Sequence, residues 1–466
     1  MDIITRRVSS VSYIIQCVLV MVIILFAAPS WAMLTIEEER ALGDEFYKKL
    51  ADRNILVKNQ EINGYINELG TRILSQSEQS PFSFTFSVVN DSGINAFATP
   101  GGYVYVYSGL IRNTENESQL AGVLAHEIAH VKAHHIAKLM EKQTKLGIAA
   151  LAGMLAGAFL GGKEGGAAIA SLSMATAASL SLKYSRENEE EADLLGMNYL
   201  VRAGYDGHGM LDFLKIMRQY EFYSNIVPSY FLTHPGTGDR IRYLDGLLET
   251  TYRKSTGKET ILLRFPRVKT ILIIDEDNPE SQIKYFRERL AQNPGDVEGI
   301  YGLAMVHQKL GNMEDAFGNF EHALALAPDD ADILRDLGIN YFNTGRTEAA
   351  IEKLGKAHAL NRDDRDTILY LGKSYDAAGE FAKALSSFND YRLKDPDDAA
   401  IYYNLAMAYG RIGDSGRSHY NFGIFFKKSV KPKSALFHFK AALEAFPPGS
   451  EEASRVKSEI DSLSAQ

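Results

Sequence analysis

Apolar residues recur with a helical period over most of this chain. Between Thr35 and Ser75, Leu42, Phe46 and Leu50, then Ile62, Ile66, Leu69 and Ile73, mark one buried helix face. Phe82–Val89 and Gly102–Tyr107 switch to the alternation of strands. Gln119–Met140 returns to the helical period, with neither Gly nor Pro after Gly122. Gly147–Leu182 is rich in Ala, Gly, Ser and Leu, and Gly161-Gly162 with Gly165-Gly166 divide it into two predicted helices. Ser185–Gly204 reads as a helix. Asp239–Tyr252 reads as another, with Asp239 as its cap, after the turn-rich Pro228–Gly238. Arg253–Asn278 loses the pattern, although Thr270–Ile274 is apolar enough for a short strand.

From Pro279 the pattern repeats. Gly311, Gly345, Gly379 and Gly413 are spaced 34 residues apart. Pro294, Pro328 and Pro396 keep the same step, with Arg362 in the missing slot. Ala304, Gly338, Gly372 and Ala406 keep it too, as do Ala316, Ala350 and Ala384 and the aromatic set Tyr341, Tyr375 and Tyr409. This is the tetratricopeptide (TPR) period, in which small residues let paired helices pack closely and glycine closes the turn between them. Lys427–Lys433 reads as a basic insertion before a last helix, Ser434–Phe446. The whole pattern predicts a mainly α chain. An α+β domain with a small β-sheet spans 33–255, a linker 256–278, and an all-α TPR solenoid 279–466.

The first 32 residues stand apart. Arg6 and Arg7 precede the apolar run Val11–Ala28, and Ser30-Trp31-Ala32 places small residues where a signal peptidase reads them. Export with cleavage after Ala32 is the expectation, and an uncleaved anchor the alternative. Cys17 is the only cysteine and lies in this segment, so the mature chain has no thiol. That excludes cysteine-protease and thiolate–zinc chemistry. Composition is that of a globular protein, 45% apolar and 23% charged, and a net charge of −9 gives no electrostatic support for nucleic-acid binding.

The chemistry concentrates in His126-Glu-Ile-Ala-His130. Residues four apart on a helix share a face, so both imidazoles can reach one zinc ion, and Glu127 stands beside the metal as a general base for water. A third protein ligand is needed. The extended pattern with a Gly and a later His fails, because Ala133 and Ile136 occupy those places. His135 lies near the motif, as a packed or solvated His or as a donor behind a ligand. The run Ser185-Arg-Glu-Asn-Glu189-Glu-Glu-Ala-Asp193 offers Glu189, with Glu187 as rival. Asp193, on the same face as Glu189, can accept the free N–H of a ligand His. Glu190 and Glu191 read as a solvated acidic face.

An H-E-x-x-H helix followed at about sixty residues by an E-x-x-A-D helix resembles the gluzincin metallopeptidases that include HtpX and the CaaX prenyl proteases. With the signal segment and the TPR array, the chain is similar to the BepA-like branch, periplasmic proteases and chaperones of outer-membrane protein assembly. The resemblance implies Glu189 as third ligand, His234 in Thr233-His-Pro235 as a regulatory fourth ligand that idles the centre, and Arg240 as a cation for the oxyanion. It favours Asn95, Ala96 and Phe97, ahead of the alternating Tyr103-Val-Tyr-Val-Tyr107, as an edge strand that binds extended substrate. Without it, a half-buried strand explains the alternation equally well. The implied function is a zinc endopeptidase that degrades misfolded or stalled outer-membrane β-barrel proteins and assists their assembly. Its TPR domain would dock polypeptides or the insertion machinery, with peripheral membrane contact. Gly147–Leu182 is either a buried hairpin or a Gly-hinged lid over that centre.

Overall fold

The computed structural model describes residues 34–140, 184–223, 229–276 and 278–464. The segment 1–32 and Gly147–Leu182 lie outside the described residues. The mainly α class expected from the sequence is the one observed. Among the described residues helices surround a single three-stranded sheet in the first of two compact units, Met1–Leu272 and Ile273–Gln466.

The apolar stripe over 35–75 forms two helices, α1 (Ile36–Asp52) and α2 (Gln60–Leu74). Thr35 and Glu38 make a reciprocal capping box on α1, Asn59 caps α2, and Asn54 at φ 54° turns the chain between them. The sheet contains β1 (Thr85–Val89), β2 (Ala96–Thr99) and β3 (Tyr103–Tyr107) in the order β1-β3-β2. β3 runs parallel to β1 and antiparallel to β2. The tyrosine-bearing strand is therefore central, not an edge, and among the described residues the edges are β1 and β2. Val104 and Val106 face the main core under α2, while Tyr105 and Tyr107 pack with Leu42, Phe46 and Leu50 of α1 on the other face. Phe97 stacks on Tyr105 at 4.9 Å and Phe46 meets the same ring edge-on at 5.4 Å. The aromatic face is thus core.

After the short α3 (Ser108–Asn113), the motif helix α4 (Glu117–Lys132) runs through the middle of the unit, buried along most of its length. It ends earlier than its apolar pattern suggests. His134 takes φ 54°, and a separate short helix, α5 (His135–Met140), follows. At the start of α4 the buried Glu117 accepts hydrogen bonds from Tyr205 Oη at 2.7 Å and from the backbone N–H groups of Ile261 and Leu262, both at 2.9 Å.

Across α4 lies α6 (Arg186–Arg202), whose Gly196 makes the close approach possible. A Cβ there would stand 3.0 Å from the backbone N of His126. On another face α7 (His208–Tyr223) approaches Gly122, where a Cβ would stand 2.8 Å from Met210 Cα. Next come α8 (Ser229–Thr233) and α9 (Thr237–Glu249). The N-cap of α9 is Gly236 in the left-handed region, not Asp239, which pairs instead with Arg186 and Arg242.

Thr270–Ile274 belongs to a helix, α10 (Phe265–Ile274), not a strand. Phe265, Val268 and Leu272 all bury in the first unit's core, a helical spacing that a five-residue window could not reveal.

The second unit is a run of paired antiparallel helices. They are α11 (Pro279–Gln292), α12 (Val297–Lys309), α13 (Met313–Leu326), α14 (Ala331–Asn343), α15 (Thr347–Leu360), α16 (Arg365–Ala377), α17 (Phe381–Lys394), α18 (Ala399–Arg411), α19 (Ser415–Lys428), α20 (Pro432–Ala445) and α21 (Glu451–Ser464). The periodic glycines Gly311, Gly345, Gly379 and Gly413 turn the chain between partners at φ 77°, 76°, 77° and 81°. The basic stretch is no insertion. Lys427 and Lys428 finish α19, Val430 turns at φ 56°, and α20 begins at Pro432. Ser434–Phe446 is not the last helix either, since α21 follows. No helix among the described residues is long and apolar enough to cross a membrane.

Candidate metal centre

α4 presents His126 and His130 one turn apart, and their Nε2 atoms face each other at 2.9 Å. Each ring is fixed through its other nitrogen. His126 Nδ1 donates to Asp193 Oδ1 at 2.9 Å, and His130 Nδ1 lies 2.8 Å from His135 Nδ1. From the crossing helix α6, Glu189 reaches the same point. Its Oε2 is 3.5 Å from His126 Nε2 and its Oε1 3.4 Å from His130 Nε2. Glu187, exposed on the first turn of α6, is not part of this buried group. The ring of His234 completes the group, with Nδ1 3.0 Å from Glu189 Oε1. One ligand atom from each of His126, His130, Glu189 and His234 lies within 4.8 Å of the others, and all four residues are buried.

Arg240 of α9 reads differently from the expectation for it. Its Nε and Nη2 form a fork on Asp193 at 2.8 and 2.7 Å, and its Nη1 donates to Glu189 Oε2 at 2.5 Å. These bonds commit the guanidinium to orienting two carboxylates, which argues against a role at a developing oxyanion. Burial opposes ionisation of Glu189, but Arg240, with His234 and the motif histidines, holds its carboxyl well below the usual range. Asp193 is held down in the same way by Arg240 and His126, against burial.

The residues fit a cation on three counts. Two imidazole nitrogens point at each other, two buried carboxylates share one guanidinium, and Glu127 stands alongside with both oxygens buried and no hydrogen-bond partner among the described residues. Such an arrangement is costly unless something positive sits in it. Burial pushes the Glu127 carboxyl up, against the pull of His234 and His126. His234 Nε2 lies 3.5 Å from Glu127 Oε1.

Several participants carry little signal in the sequence. Tyr184 stacks on His130 at 3.9 Å, and its buried hydroxyl has no partner among the described residues. Tyr230 stacks on His234 at 4.3 Å from four residues earlier, a spacing that could have suggested the pair. Glu191 is more than a solvated charge, since it accepts from His135 Nε2 at 3.1 Å. His134, by contrast, turns away to Glu39. The strand residues Asn95, Ala96 and Phe97 are buried, and Asn95 O accepts from Tyr107 N at 2.9 Å. Just before them, Ile94 O accepts from Tyr230 N at 3.3 Å, which ties the start of β2 to the helix preceding His234. Among the described residues no strand pairs with the outer edge of β2.

Residues 59–248 match the sequence profile described as Peptidase family M48, and residues 296–363 and 344–408 match tetratricopeptide repeat profiles. A putative β-barrel assembly-enhancing protease of Vibrio cholerae is 39% identical over 45% of this chain and 43% of its own. The β-barrel assembly-enhancing protease of Escherichia coli is 36% identical over 43% of this chain and 42% of its own. A mitochondrial metalloendopeptidase of Schizosaccharomyces pombe is 28% identical over 48% and 65%. The match spans less than half the length of the two bacterial relatives.

Proposed function

We infer, from a chain whose residues 59–248 form a Peptidase family M48 domain joined to tetratricopeptide repeats, that this protein is a zinc endopeptidase of the periplasm. The observation that carries the reading is the buried His126–His130–Glu189 cluster with the Glu127 carboxylate, which has no hydrogen-bond partner among the described residues, beside it. His126, His130 and Glu189 would hold the ion. When bound, zinc supplies a charge that acidifies water toward neutrality and polarises a peptide carbonyl. Glu127, made a stronger base by the burial that pushes its carboxyl up, would take the proton of the attacking water and pass it to the leaving amine. Asp193 holds His126 by its Nδ1 proton, and Arg240 holds Asp193 and Glu189 in register.

An extended polypeptide would lie along β2, at Asn95, Ala96 and Phe97. The substrates we propose are misfolded or stalled outer-membrane β-barrel proteins. The repeats would recruit those chains or their insertion machinery, and so give the protein a chaperone-like part in assembly. The names of the bacterial relatives support this assignment. Trapping with Glu127→Gln in the native envelope tests it. Outer-membrane β-barrel proteins should be retained, and recovery of only unrelated periplasmic proteins would refute that substrate class.

A second reading is favoured by His234. Its ring sits within the ligand group, where it can fill the place that water needs and leave the repeats to act as an adaptor around an idle centre. His234→Ala should then raise proteolysis with zinc still bound; an unchanged or lower rate would count against an idling role.

A further inference from the structure

We propose that His135 is a positioning residue for the metal centre, holding His130 in the one tautomer that can bind a metal. The inference rests on the metal-centre reading above and adds a residue to it. The chain places His135 there by breaking its helix. Five residues are well past one turn, so on an unbroken helix His135 would point away from His130. The left-handed turn at His134, φ 54°, ends α4 and folds the next residue back beneath the motif.

The hydrogen-bond chain then assigns the protons. Glu191 Oε2 can only accept, so His135 Nε2, 3.1 Å away, carries the hydrogen. In a neutral imidazole one ring nitrogen donates and the other accepts, so with Nε2 as the donor the Nδ1 of His135 is bare. That Nδ1, 2.8 Å from His130 Nδ1, must accept, so His130 carries its proton on Nδ1. His130 Nε2 is left as a lone pair, aimed at the point shared with His126 Nε2 and Glu189. Asp193 does the same for His126 directly, and His135 does it for His130 through a neutral ring whose far end reaches a carboxylate with 55% of its side chain exposed. The side chain of His135 is itself wholly buried, so no water competes for the contact.

Competition of the full-length protein with a chelator for zinc tests this, alongside nitrogen NMR of the His130 ring in the metal-free protein. In His135→Asn the amide oxygen takes the place of Nδ1; in His135→Gln it takes that of Nε2; His135→Leu offers no acceptor. The Leu and Gln variants should lose about 10- to 100-fold in zinc affinity and show a mixed His130 tautomer. The Asn variant should keep both near wild type. Leu binding zinc as tightly as wild type, or Asn falling as far as Leu and Gln, would overturn the proposal while leaving the metal centre intact. Wild-type protein that takes up no stoichiometric zinc would remove the underlying reading and the proposal together.

Discussion

With Nδ1 of His126 given to Asp193 and Nδ1 of His130 given to His135, the facing Nε2 atoms, 2.9 Å apart, need a positive group between them. Without metal that group is a proton. Burial and the Arg240 charge work against protonating His126, yet Asp193 and Glu189 outweigh them and push its pKa up to about 9, while burial keeps His130 neutral. A raised value means that His126 is protonated at about pH 7.5 and that metal must displace that proton. Calorimetric titration in buffers of different ionisation enthalpy should therefore show about one proton released per zinc at that pH, falling away above pH 9. No release at pH 7.5 would contradict this proton arrangement.

Arg240 makes a second test at this scale. Arg240→Lys keeps the charge but not the fork, so zinc affinity and thermal stability should both fall. Complete removal in Arg240→Met should cost about 3–5 kcal/mol in the metal-free protein. Unchanged zinc affinity with lost turnover would restore the oxyanion role for this residue. The motif pair and the Glu189–Asp193 pair were legible in sequence because each is one helical turn, a local fact. His135 was not, because its place depends on a helix break that the apolar pattern runs straight through.

Helices and strands were legible in kind and less so in arrangement. The two-residue period of Tyr103–Tyr107 marks a strand but says nothing of its neighbours, and the four-residue β2 is too short to declare itself. Only the observed pairing shows that β2 lies at an edge, that β3 is central and that the tyrosines are core. The crossing of α4 and α6 is what brings ligands from two distant segments together, and it depends on Gly196. Gly196→Val should force the helices apart, cost about 1–3 kcal/mol by overpacking, and weaken zinc binding without touching a ligand. Denaturant unfolding with zinc competition measures both, and full affinity in that variant would show that the crossing tolerates more space. In the repeats, Gly345→Ala at φ 76° should cost about 1 kcal/mol in the same unfolding assay and leave zinc binding alone.

The two compact units divide the chemistry from the repeats. The 34-residue period and the H-E-x-x-H spacing fall in different units, and each is legible in sequence as a regularity of position that no tertiary contact can disguise. Metal removal should respect it. A chelator is expected to speed amide exchange in α4 and α6 and to leave α12–α19 unchanged, whereas uniform loosening of both units would contradict a metal confined to the first. The most direct test of the whole account is cleavage of an unfolded outer-membrane β-barrel polypeptide by zinc-loaded His234→Ala protein, with and without Glu127→Gln. We expect Glu127→Gln to slow cleavage by about 100- to 10,000-fold while zinc stays bound. Equal cleavage by the two zinc-loaded proteins would contradict the assignment of Glu127 and, with it, the peptidase centre described for His126, His130 and Glu189.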